Sequence, residues 1–340
     1  MSRALVLGPG GVVGTAWMAG LANGLRRHGV NLAEADLIVG TSAGAIIGAM
    51  LATGEDLDRL AASRSNPAPT NPSPTNRGAP NGAAPTASGS HAAATGAGRT
   101  GAGATGPGGT GAGGTGAGGT GATAGDAVLD GSRGGPDARA PLVDHVRLGQ
   151  VFETLGDATL SPADIRRRVG RLALDAATGP EEAHLARMGR LVTTSAWPDG
   201  RLLIPAVDTV SGDPEVWDAR SGAPLAAAVA ASTAMPAVFP PITINGRRYM
   251  DGFLRAGLNA DLAAGADVLV AVEPLAHLHQ SGPLDRDLAG TIVTITADKA
   301  AQSVFGLDPH DLSAWHPSYQ AGLRQADDAA QRVATAWHNR

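Results

Sequence analysis

A serine stands among small residues in Gly40-Thr41-Ser42-Ala43-Gly44, directly after the apolar run Leu37-Ile38-Val39 and directly before the helix-forming segment Ala45 to Ala52. Strand, G-x-S-x-G turn and helix in that order project a serine Oγ from a sharp bend, where it can attack a carbonyl carbon. Ser42 is therefore the candidate nucleophile, with Gly40 and Gly44 supplying the room that the turn needs. Its place at a helix N-terminus adds unpaired N–H groups and a dipole that favour developing negative charge. A chain with 48 glycines produces the bare pattern by chance. It is the flanking strand and helix that give the pattern its meaning.

A second glycine cluster follows the short apolar run Ala4-Leu5-Val6-Leu7: Gly8-Pro9-Gly10-Gly11-Val12-Val13-Gly14, leading into a helical segment from Thr15 to Arg27. Glycines before a helix start expose backbone N–H groups to an anion. That anion is a tetrahedral oxyanion, with Gly10 and Gly11 as the leading donors, or a phosphate. For the phosphate, Gly8, Gly10 and Gly14 make a G-x-G-x-x-x-G variant of the dinucleotide fingerprint, with Glu34 or Asp36 at ribose distance. An elbow on the next strand favours the oxyanion.

The third element is Ile242 to Gly252, which reads as a hairpin with an Asn245-Gly246 turn whose second strand delivers Asp251 ahead of Gly252. A carboxylate there can serve as a base, although Asp-Gly is also an ordinary turn former. The rival base is a histidine. Ala266 to Glu273 reads as a strand, and His277 and His279 lie just beyond it, where a Ser-Asp-His triad in α/β-hydrolase order would need one.

Taken together, the glycine loop, Gly40-Thr41-Ser42-Ala43-Gly44 and Asp251-Gly252 resemble the patatin-like phospholipase family in order and spacing. The similarity continues through Ala231-Ser232-Thr233-Ala234-Met235-Pro236 and Asn259-Ala260-Asp261, and it covers roughly residues 5 to 273 with one long interruption. The resemblance implies an α/β fold, a three-layer sandwich with a central, mainly parallel sheet and a nucleophile elbow. It implies hydrolysis of lipid acyl esters, of phospholipid or lysophospholipid type, by a Ser42-Asp251 dyad. The oxyanion hole would be Gly10, Gly11 and Val12, and no cofactor would be required. The chain departs from the family pattern at Pro9, where a glycine is usual, at Val13, where a basic residue is usual, and at Phe253, where Gly or Ala commonly follows Asp-Gly. A nucleotide-binding protein using Gly8 to Gly14, or a non-catalytic scaffold, would be the alternatives.

The elements that must hold these groups are legible as pattern. Residues 64 to 140 contain almost no large apolar side chain besides Val128 and Leu129 and run through Gly-Ala-Thr repeats. Such composition buries too little surface to offset ordering entropy, so a long disordered insertion is expected there. It interrupts an acyl-hydrolase domain over residues 1 to 300, and residues 301 to 340 form a helical C-terminal extension. Helices are expected over Leu142 to Leu155 and over Ser161 to Val169, with Ser161 as N-cap and Pro162 in the first turn, a stretch that reads as ordinary helical packing or, alternatively, as a lid near the site; another helix is expected over Pro224 to Ser232. Strands are expected at Leu191 to Ser195, Leu202 to Val207, Val268 to Val272 and Thr291 to Thr296. Arg166, Arg167, Arg168 and Arg171 form a basic stripe suited to an anionic lipid surface or to plain solvation.

The net charge is only −5, from 26 basic and 31 acidic residues, which argues against a nucleic-acid surface. There is no cysteine, and the histidines show no H-E-x-x-H spacing, so thiolate and metal chemistry are not implied. No run reaches the ~20 apolar residues of a membrane span. A cytoplasmic enzyme meeting a lipid or other acyl-ester substrate, with transient membrane-surface contact, is the resulting expectation.

Overall fold

A computed structural model describes residues 1–62, 141–279, 284 and 286–338. The expected disordered insertion over 64 to 140 lies outside the described residues. In chain order the elements are β1 (Arg3–Leu7), α1 (Gly11–Arg27), β2 (Leu37–Gly40), α2 (Ala43–Thr53), α3 (Asp58–Ala62), α4 (His145–Leu155), α5 (Pro162–Asp175) and α6 (Glu181–Leu191). Then follow β3 (Leu202–Asp208), β4 (Pro214–Trp217), α7 (Leu225–Ser232), β5 (Ile242–Ile244), β6 (Arg247–Asp251), α8 (Phe253–Ala256), β7 (Ala266–Glu273), α9 (Ala276–His279), β8 (Ala289–Thr296), α10 (Lys299–Phe305) and α11 (Trp315–His338).

Among the described residues eight strands form one sheet in the order β5-β6-β3-β2-β1-β7-β8, with β4 also paired to β3. The pairs β3–β2, β2–β1, β1–β7 and β7–β8 are parallel, whereas β4, β5 and β6 pair antiparallel. The central strands are apolar throughout because helices cover both faces. Alternation sorts their side chains: Leu5, Leu7, Val268, Val270 and Val272 join the core beneath α1, α2, α7 and α11. Ala4, Val6, Leu269 and Ala271 face the opposite way, against Leu258, Ala260 and Ala263. A further cluster on β3 and β6, at Val207 and Met250, meets Val151 of α4 and Val169 of α5. The fold is thus the expected three-layer α/β sandwich with a mainly parallel sheet.

Most local expectations match. Ser161 caps α5, its hydroxyl accepting from the Asp164 N–H at 3.1 Å, with Pro162 in the first turn. The Asn245-Gly246 turn takes φ 51° and 76°, the primed geometry that suits a two-residue hairpin. One expectation fails. Leu191 closes α6, and Val192 to Ser195 is not a strand. The amides of Thr193 and Thr194 donate to the Glu55 carboxylate at 3.0 and 3.1 Å, so their hydrogen bonds end on a side chain rather than on a neighbouring strand. α1 also starts earlier than its apolar pattern suggested, so that Gly11, Val12 and Val13 form its first turn.

Candidate active site

β1 and β2 run parallel and adjacent, so the turns that leave their C-terminal ends lie side by side. Here ligand sites of open α/β sheets form. At the second turn Ser42 adopts φ 54° and ψ −118°, a strained conformation for a residue with a side chain. The turn is over-determined by its neighbours. The Thr41 N–H donates to the Leu7 carbonyl at 2.9 Å, and the Gly44 N–H reaches Thr41 O at 2.8 Å and Gly8 O at 3.2 Å. A Cβ on Gly44 would stand 2.0 Å from the Leu7 oxygen, and one on Gly40 would stand 2.5 Å from the Gly44 oxygen. The elbow glycines are therefore demanded by close backbone approach.

The Ser42 hydroxyl donates to Asp251 Oδ2 at 2.8 Å, across 209 positions of sequence. Asp251 ends β6 and is 2 % exposed. Its Oδ1 accepts from the Phe253 N–H at 3.0 Å, which aims the other oxygen at Ser42. Burial pushes its carboxyl up to about 7, against the opposing effect of the Phe253 amide and the Ser42 hydroxyl. Gly252 lets this turn approach β3: a Cβ there would stand 2.1 Å from the Pro205 oxygen.

Two residues that the sequence offered only as similarity hold the Ser42 and Asp251 turns together. The Ser232 hydroxyl, fully buried at the end of α7, accepts from the Ser42 N–H at 3.0 Å, while the Ser232 carbonyl accepts from the Gly252 N–H at 3.3 Å. Asn259, also fully buried, donates through Nδ2 to Thr41 Oγ1 at 3.0 Å and to Gly252 O at 3.1 Å. Its own Oδ1 accepts from Arg255 at 2.9 Å, and Arg255 is held by Asp261. A bridge thus runs from the residue before Ser42 to the residue after Asp251.

The glycine loop sits beside the elbow, and Gly11 takes φ +59°. Gly10 precedes α1, and the Val12 N–H, at the start of that helix, donates at 2.8 Å to the carbonyl of Pro309. The histidines nominated as rivals are on α9, where His277 is exposed. Sequence reasoning passed over another histidine: His184 on α6 is 3 % exposed, and burial pushes its imidazole down to about 3. Its Nε2 lies 3.0 Å from Thr233 Oγ1 and 3.1 Å from the Ala230 carbonyl. Among the described residues no cluster of His, Cys, Asp and Glu could hold a metal ion, and no helix is long and apolar enough to cross a membrane. Of the basic stripe, Arg166 donates to the Gly212 carbonyl at 2.7 Å and Arg167 pairs with Asp164.

The family model for patatin-like phospholipases matches residues 5–86 and 130–264. The chain belongs to the patatin-like phospholipase family. It is accordingly a lipid acyl hydrolase of α/β fold. Among solved structures it aligns with VipD from Legionella pneumophila at 12 % identity and a TM-score of 0.39, over 97 % of this chain and 67 % of that one. A search of curated proteins returned no match.

Proposed function

We propose that this patatin-like chain hydrolyses phospholipid or lysophospholipid carboxylic esters through a Ser42–Asp251 dyad. The observation that carries the reading is the 2.8 Å hydrogen bond from the Ser42 hydroxyl to a buried Asp251. A carboxylate of ordinary acidity is a poor match for a serine hydroxyl, and lifting it to about 7 by burial brings it near the working pH of a general base. In the acylation step the Ser42 oxygen bonds to the ester carbonyl carbon as its proton passes to Asp251 Oδ2. The carbonyl π pair moves onto oxygen, where N–H groups of Gly10, Gly11 and Val12 receive it. The intermediate collapses with departure of the alcohol, which takes the proton from Asp251. Water then repeats the sequence on the acyl-serine, with Asp251 again accepting the proton, and the fatty acid leaves.

Positioning falls to Ser232 and Asn259. Transient contact with a membrane surface supplies the lipid, and no metal or cofactor takes part in any step. The test is stoichiometric labelling with a fluorophosphonate, which needs no substrate identity. Labelling is expected for the full chain, absent for Ser42→Ala and slowed at least about 100-fold for Asp251→Asn. A folded full chain that takes no label would sink the dyad. Retained labelling after joint replacement of His277 and His279 by Ala is expected as well; its loss would restore the triad.

A further inference from the structure

Between α10 and α11 the chain passes over the N-terminal end of α1. The Pro309 carbonyl accepts there from the Val12 N–H at 2.8 Å and from the Val13 N–H at 3.2 Å. These are first-turn donors of a seventeen-residue helix, the groups that α1 cannot satisfy itself and that sit at the positive end of its dipole. A carbonyl oxygen with two convergent N–H donors is the arrangement that an acyl-transfer site offers its substrate. The fit is close: a Cβ on Gly11 would stand 2.5 Å from that same oxygen.

The next residue anchors the segment. The His310 ring meets Phe239 edge-on, with centroids 5.9 Å apart, and Phe239 stacks on His184 at 4.4 Å. His184 in turn reaches Thr233, the neighbour of the Ser232 that holds the Ser42 N–H. Upstream, by contrast, the segment faces solvent, although the Asp308 carboxylate accepts from the His310 N–H at 2.9 Å. Gly306, Leu307 and Asp308 are exposed, and Gly306 has φ +67° with nothing within 4 Å of the place a Cβ would take.

We propose that Gly306 to Asp311 is an autoinhibitory strap, which fills the glycine loop with the Pro309 carbonyl and must lift, about Gly306, before an ester can enter. The inference rests on the Ser42–Asp251 reading and on the glycine loop as oxyanion site. While the strap is down it takes the Val12 donor and covers Gly11. The observed activity is then the intrinsic activity multiplied by the open fraction.

The test compares the full chain with His310→Ala and with the combined Asp308→Gly, Pro309→Gly, His310→Gly variant, reading amide hydrogen exchange at Val12 and Val13 and the rate of Ser42 labelling by a fluorophosphonate. Both amides are expected to be protected in the full chain and to exchange faster in the variants, with labelling accelerated about tenfold as the closed population is removed. Labelling at the unaltered rate, or slower, in a variant whose two amides have been freed would overturn the strap. Protection that persists in the triple variant would overturn it too, because the segment would then be fixed wall. Should the triple variant fail to fold, His310→Ala alone decides by the same two readouts. Absence of label in every protein, the full chain included, is a separate outcome and defeats the dyad.

Discussion

The burial that would suit Asp251 to the proposed role of base costs stability. Its carboxyl is neutral in the folded chain up to about pH 7, whereas in the unfolded chain it ionises near its ordinary value of 3.8. The folded state therefore holds the proton more tightly, and stability present below pH ~4 is lost as pH rises towards 7, by something on the order of 4 kcal/mol at full ionisation. Asp251→Asn keeps an oxygen for the Phe253 amide and removes the ionisation. Thermal melts at pH 8.5 are expected to show this variant more stable than the parent, with the difference shrinking to little at pH 4. Activity runs the opposite way. Ester hydrolysis by the parent should rise with pH through an inflection near 7, and a pH–rate profile that is flat from 5 to 8 would contradict Asp251 as base.

The elements around Ser42 explain which parts of the site the sequence disclosed. The elbow was legible because its constraints are local: a strand, a turn that tolerates no Cβ at Gly44 and a helix follow one another within 17 residues. Asp251 was legible from its hairpin as one carboxylate able to act, and its pairing with Ser42 only through the family likeness, since that meeting depends on the antiparallel pairing of β6 with β3, a long-range contact that no periodicity announces. Leu191 to Ser195 misled because a short apolar run is equally at home at a helix end, and the Glu55 carboxylate that claims its amides lies 138 positions away. Ser232 and Asn259 looked like motif residues without a task until their hydrogen bonds were seen. Gly44→Ala is expected to abolish the elbow, costing at least ~3 kcal/mol because the clash is with backbone; a denaturation midpoint would register it. Ser232→Ala leaves the Ser42 N–H without its acceptor. It should lower kcat about tenfold or more with little change in KM, as misplacement of a nucleophile does; an effect on KM alone would assign Ser232 to substrate binding instead.

Across the molecule as a whole, one long-range contact is also among the tightest. α11 lies against α1, where a Cβ on Gly20 would stand 2.0 Å from the Tyr319 oxygen and one on Gly322 would stand 2.0 Å from the Trp17 oxygen. Trp17 Nε1 donates to Gln325 Oε1 and Asn23 Nδ2 to the Tyr319 hydroxyl, so the crossing is satisfied in polar as well as apolar terms. Gly322→Ala is expected to lower the melting temperature strongly, whereas replacing residues 70 to 135 by a short Gly-Ser linker should leave melting and esterase activity nearly unchanged, because loop-closure cost grows only logarithmically with length. The partners Trp17 and Gln325 are 308 positions apart. On a ribosome adding about 5–20 residues per second, the apolar side of α1 therefore waits some 15–60 s for its cover. The six residues that lie over the glycine loop emerge just before that cover does. A nascent chain thus carries the Ser42 elbow and the glycine loop long before α11 completes the core beside α1, whereas Asp251 joins them only shortly ahead of it.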